Sequence, residues 1–174
     1  MQLVTRFAFV GLALLLLAPS AQAKPAPLDE AAWTAVFGTA ADGPTPTFLK
    51  ELSKGMSPAD AGKVFKGAEK PSKHGFAKIT VKGVPGVTKM EIYFRKDKET
   101  NVPTQLGAVT LTLDKSVQKD PAVYAALVKV LTAKYGAVKK PESVEKMQIT
   151  WTTKKLQSAQ IWKVGRDVTF KYSF

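Results

Sequence analysis

The change of hydrophobic period inside Asp120–Phe174 constrains the fold more than any other feature of the chain. Asp120 can accept backbone N–H bonds as an N-cap, Pro121 suits a first helical position, and Gly136 can take the conformation that ends a helix. Between them Tyr124, Leu127, Val128, Leu131 and Tyr135 fall at helical spacing, while Lys129 and Lys134 lie off that stripe. Each large apolar side chain that becomes fully buried contributes roughly 1.5–3 kcal/mol, so the stripe decides how the helix packs. After the linker Ala137–Lys146 the period falls to two. Met147, Ile149 and Trp151 alternate with polar residues, and Val168, Phe170, Tyr172 and Phe174 do so again. Between these strands Ser158–Val164 has Trp162 and Val164 on one face and Ala159, Ile161 and Lys163 on the other. A lysine is rarely taken out of water, which predicts a buried Trp162 face. Gly165-Arg166-Asp167 supplies the closing hairpin turn. The stretch therefore reads as one helix laid across a three-stranded antiparallel meander.

The preceding residues repeat this order. Asp29 caps a short helix to about Phe37, with Leu28 and Trp33 spaced as a hydrophobic staple. Gly38–Pro44 breaks it, and Thr45-Pro46 restarts a helix that turns Phe48, Leu49 and Leu52 inward and ends at Gly55. Ser57-Pro58-Ala59-Asp60 opens another helix through Val64 and Phe65. Alternation then places Ala77, Ile79 and Val81 opposite Lys78, Thr80 and Lys82, and Met90, Ile92 and Phe94 opposite Glu91, Tyr93 and Arg95. A charged loop, Lys96–Gln105, leads to a third strand with Val109, Leu111 and Leu113. The predicted class is α+β: short N-terminal helices over residues 24–56, then an α+β domain over 57–174. Ser57-Pro58-Ala59 and Asp120-Pro121-Ala122 start their helices alike, which leaves open an αβββ-αβββ duplication with halves 57–119 and 120–174.

Residues 1–23 read as a cleaved signal peptide rather than as part of the fold. Arg6 supplies the basic start, Phe7–Ala18 an apolar run too short to span a bilayer, and Ala21-Gln22-Ala23 the small-residue cleavage site. Export to the periplasm or beyond the cell follows, and no later stretch reaches transmembrane length. The absence of cysteine removes both disulfide staples and a lipid-bearing residue after the leader. Stability must then come from an apolar core, for which the remaining 151 residues (174 less 23) suffice.

Charge narrows the partners. The 26 basic residues less Arg6, against 14 acidic, leave the mature chain at +11. Among exported proteins that balance favours an anionic envelope component (lipopolysaccharide, lipid headgroups, wall-associated polymers) or an acidic protein, and compartment disfavours nucleic acid. Lysines that only solvate the surface are the competing reading. Trp151, Trp162 and Tyr172 could form an aromatic platform with Lys154, Lys155, Lys163, Arg166 and Lys171 beside it, although aromatics at strand period more often fill a core. The candidate binding residues are therefore Lys154, Lys155, Trp162, Lys163, Arg166 and Lys171.

No catalytic constellation emerges. His74 is the sole histidine and lies in a polar loop without a Gly-x-Ser-x-Gly nucleophile motif. Ser116–Lys119 and Ser143–Lys146 match Ser-x-x-Lys but lack the companion motifs of serine-reactive enzymes. Asp29, Asp60 and Asp120 are accounted for by capping, and neither metal-ligand clusters nor phosphate-binding glycine loops occur. The reading calls for no cofactor.

Two segments carry a family resemblance. Gly55-Met56-Ser57-Pro58-Ala59-Asp60-Ala61, followed by Val64, resembles the helix start of small α/β envelope proteins related to outer-membrane-assembly lipoproteins and the β-lactamase-inhibitor-protein superfamily. Tyr124–Gly136, Trp151 and the closing strands resemble a pattern of exported bacterial proteins. The first resemblance implies helices packed on an antiparallel sheet and a role in protein–protein contact, as an inhibitor or adaptor. The missing cysteine departs from the lipoprotein branch, and no binding residue carries across.

Overall fold

The computed structural model describes residues 27–152 and 158–174. The predicted leader, residues 1–23, and Lys154 and Lys155 lie outside the described residues.

Where cap residues and spacing agree, the helices form as expected. Helix α1 (Glu30–Phe37) starts at Asp29, whose carboxylate accepts the Ala32 N–H at 2.9 Å. Helix α2 (Pro58–Val64) starts at Ser57, whose hydroxyl accepts the Asp60 N–H. A single turn, α3 (Ser116–Lys119), precedes α4 (Pro121–Tyr135), which Asp120 caps through the Ala122 N–H at 2.9 Å and Gly136 ends with φ +97°. The linker after it contains a further turn, α5 (Glu142–Glu145). The helix expected from Thr45 is only a 3₁₀ turn, Thr47–Leu49, although Leu49 and Leu52 are buried as the spacing requires.

Six strands form one antiparallel sheet: β1 (Phe76–Thr80), β2 (Val87–Lys96), β3 (Pro103–Leu113), β4 (Gln148–Thr152), β5 (Ser158–Val164) and β6 (Asp167–Ser173). Their spatial order is β1-β2-β3-β6-β5-β4, so the two meanders meet at β3 and β6 and the order reads the same from either edge. β2 and β3 extend further than alternation alone suggested. The charged loop shrinks to Asp97–Val102, because Lys96 and Pro103 still pair and Leu106 is already core.

Registers align across all six strands, which sorts every side chain onto one of two faces. Ile79, Met90, Leu111, Phe170, Ile161 and Ile149 make one cross-sheet row, and Ala77, Ile92, Val109, Tyr172, Ala159 and Trp151 the next; all twelve are buried. Trp33, Val36 and Phe37 of α1, Leu49, Leu52, Ala61 of α2, Val117 of α3 and Tyr124, Leu127 and Leu131 of α4 join the same cluster. The Phe37 ring lies 4.7 Å from that of Phe170, which ties the first helix to the last strand. Among the described residues no helix is long and apolar enough to cross a membrane.

Two placements stand opposite to expectation. Lys134, assigned to the solvent side of α4, is only 8% exposed. Its ammonium donates to the carbonyls of Thr39 (2.9 Å) and Gly43 (2.7 Å), so the loop after α1 folds over it and supplies the partners a buried cation needs. Burial pushes its pKa down, opposed by the attraction of Asp42. Trp162, assigned to the core together with Val164 on the same face, is 53% exposed and Val164 57%, because Ala159 and Ile161 take the inner face instead. Lys163 shares their face only by lying at the strand's end. With the Gln118 amide oxygen turned towards it, the Lys163 ammonium donates at 3.1 Å and remains exposed.

Candidate functional face

The face opposite the helices carries three rows. Phe76, Tyr93, Ala108, Ser173, Ser158 and Thr152 form the first, Lys78, Glu91, Thr110, Lys171, Gln160 and Thr150 the second, and Thr80, Lys89, Thr112, Thr169, Trp162 and Gln148 the third. All of these residues except Ala108 are exposed or half-exposed. Alternation inward-apolar and outward-polar creates this face, as in antiparallel sheets wetted on one side. With Arg95 and Asp167, which continue the same side of β2 and β6, the cations Lys78, Lys89, Arg95 and Lys171 stand against the carboxylates of Glu91 and Asp167.

The face is not flat. A hollow of about 430 Å³ is lined by His74, Phe76, Tyr93, Ala108, Thr110 and Lys171. Its floor is low because Ala108 sits between larger neighbours. Next to Ala108, Gly107 is skipped by the pairing of Tyr93 with Ala108 and Phe94 with Leu106, a β-bulge in β3. A Cβ on Gly107 would stand 3.0 Å from the Arg95 stem and 3.3 Å from the Tyr93 ring, so glycine lets both side chains lie over the strand.

His74 reaches this hollow through a tight turn. The Gly75 N–H donates to the Ser72 carbonyl and the Ser72 N–H to that of Phe76, both at 2.8 Å. Gly75, at φ +87°, lies so close to β2 that a Cβ would meet the Phe94 carbonyl oxygen. Phe76 and Tyr93 pair across β1 and β2 with ring centroids 5.0 Å apart, and Phe76 remains 40% exposed. On the other side of Phe76 lies a second hollow of about 660 Å³, lined by Lys70, Ser72, His74, Lys78 and Glu91 besides Phe76 itself. A third, of about 360 Å³, lies towards the opposite edge, where Trp162 stands beside Gln148, Thr150, Gln160 and Ile161.

The middle row links them: Lys78 and Glu91 line the second hollow, Thr110 and Lys171 the first, Gln160 and Thr150 the third.

Of the residues proposed from sequence, Trp162 and Lys171 stand on this face. Arg166 occupies the β5–β6 turn beside Gly165 (φ +59°), and Lys163 points to the helix side. Trp151 and Tyr172 are core residues; the Trp151 indole donates to the Gly136 carbonyl at 3.0 Å. Phe76, Tyr93, Gln148 and Gln160 also stand on this face, and no motif in the sequence marks them. Alternation placed Tyr93 outward, yet only the β1–β2 register brings Phe76 beside it.

A fourth hollow of about 620 Å³ lies at the β1–β2 turn, lined by Leu28, Val84, Pro85, Val87, Val123, Asp114 and Asp120 among others. Its carboxylates already serve the backbone: Asp120 caps α4, and Asp114 accepts the Ser116 N–H and hydroxyl at 2.8 and 2.6 Å, which holds its pKa down. The Ser-x-x-Lys spacings serve turns likewise, since the Ser143 hydroxyl donates to the Lys140 carbonyl at 2.6 Å. Among the described residues no three metal-ligating side chains gather.

Comparison with protein-family models, with curated proteins and with solved structures finds no match to this chain.

Proposed function

We propose that this chain is an exported, non-enzymatic binding protein that meets an anionic envelope component through the open face of its sheet. The observation that carries the reading is the middle row, which threads three hollows while cations outnumber carboxylates on the same face. The leader-like residues 1–23 support export, and the net positive charge supports an anionic partner. Helix capping and turn formation account for Asp29, Asp120, Ser116 and Ser143, so these groups give no support to a hydrolase.

The test is retention of the purified protein on washed envelope fractions as salt is raised. Going from about 0.1 M to about 1 M shortens the screening length from roughly 10 to 3 Å, and retention should be lost over that range. Lys171→Gln and Lys78→Gln should lower the salt at which release occurs, while Lys139→Gln, outside the sheet, should not. Retention that survives about 1 M salt overturns the electrostatic reading. A stoichiometric, salt-resistant protein complex would instead support the inhibitor or adaptor class, for which the exposed Trp162 is the natural anchor.

A further inference from the structure

Resting on that reading, we propose that the ligand is a linear acidic saccharide, lying across the strands along the row Lys78–Glu91–Thr110–Lys171–Gln160–Thr150. The row spans five inter-strand spacings of about 4.8 Å, roughly 24 Å, which calls for an oligomer rather than a single ring.

Three features of the face select this chemistry. Aromatic rings stand at both ends, Phe76 with Tyr93 near one edge and Trp162 near the other, and each presents an apolar surface to one side of a sugar ring. The ground between them is polar: Thr110, Lys171 and Gln160 offer hydroxyl, ammonium and amide groups to the ring hydroxyls. An acyl chain would need continuous apolar surface there and finds none, which sets a lipid tail aside. Lysines beside two of the hollows, Lys171 in one and Lys78 in the next, complement a repeated carboxylate. Phe76 borders both of those hollows, so a chain can cross it with one residue on either side.

The proposal is tested by calorimetry on the purified protein with galacturonate and mannuronate dimers and hexamers. Maltohexaose, polyphosphate and oligodeoxythymidylate of similar length serve as comparisons. At least one uronate hexamer should bind about tenfold or more tighter than its dimer and than maltohexaose. Phe76→Ala and Trp162→Ala should each weaken that hexamer about tenfold, with unchanged circular dichroism. Polyphosphate binding as tightly as both uronates, unmoved by either aromatic substitution yet weakened by Lys171→Gln, overturns the saccharide inference and leaves the anionic-partner reading standing. Tighter binding of oligodeoxythymidylate than of either hexamer overturns the saccharide in favour of nucleic acid. If no polyanion binds at low salt, both readings fail.

Discussion

The two meanders share a strand order but not a construction. β5 and β6 are seven residues each and pair without a break, whereas β2 and β3 run to ten and eleven residues with three register irregularities. Their helices differ in the opposite sense: α4 has fifteen residues and α2 only seven. The shorter helix leaves part of the first meander to α1, whose Trp33 lies so close to the β1–β2 turn that Gly86 has no room for a Cβ. The contrast teaches that regular pairing suffices to present Trp162 beside its hollow, while the hollow floored by Ala108 and bordered by Phe76 and Tyr93 is built on a bulge and a glycine.

The largest effect should come where the halves meet. Phe170 is fully buried, pairs with Leu111 of the first meander and Ile161 of the second, and packs against the Phe37 ring. Phe170→Ala should cost about 3–5 kcal/mol. Urea unfolding followed by tryptophan fluorescence and by circular dichroism should still give one transition, shifted to lower urea. Two separated transitions would mean that the halves are independent units joined only by strand pairing.

Gly75→Ala attacks the irregular half alone. The substitution forces an L side chain to φ +87° and drives its Cβ into the Phe94 carbonyl oxygen, so roughly 3 kcal/mol is expected. The same change displaces His74 and Phe76, and binding at that end of the face should fall with it. A stable variant with unaltered binding would show that the turn adjusts freely, and the contrast between an irregular and a regular half would lose its basis.

Lys134→Met tests the cover over α4. It leaves the Thr39 and Gly43 carbonyls without their donor, a loss of about 1–3 kcal/mol that removal of a buried charge partly offsets. The sign with pH follows from its lowered pKa. Between the folded value and the ordinary 10.5 the unfolded chain holds more protons than the folded one, so wild-type stability gains from rising pH in that window. The variant should lack that gain, as chemical denaturation at a series of alkaline pH values would reveal.

These residues also mark what could be read from the sequence and what could not. Caps and period announced α1, α2, α4 and all six strands, because Asp29, Ser57, Asp120 and the alternating apolar residues act on their own segment. Lys134 could not be placed, since its partners lie more than ninety residues away in a loop. Trp162 was misplaced for a related reason. Lys163 implied the opposite face only if the strand stayed buried along its whole length, and burial stops after Ile161. The Phe76–Tyr93 pair depends on register, and the hollow beside it on a bulge at Gly107, neither of which alternation encodes.

Trp162→Ala should have the smallest effect on the fold and so gives the sharpest contrast with binding. The side chain is half-exposed on an outward row, and surface substitutions of this kind usually change stability by about 0.5 kcal/mol or less. Trp151, on the adjacent strand β4 and on the inner face, differs in every respect: it is 3% exposed and bonded to the end of α4, so Trp151→Ala should cost about 3–5 kcal/mol. Both variants remove one indole from the same meander, and unfolding midpoints measured side by side separate the roles. A large loss of stability from Trp162→Ala would return that residue to a packing role, and the regular half would then present no aromatic station to a ligand. A midpoint close to wild type, combined with weakened polyanion binding, would place its contribution outside the fold.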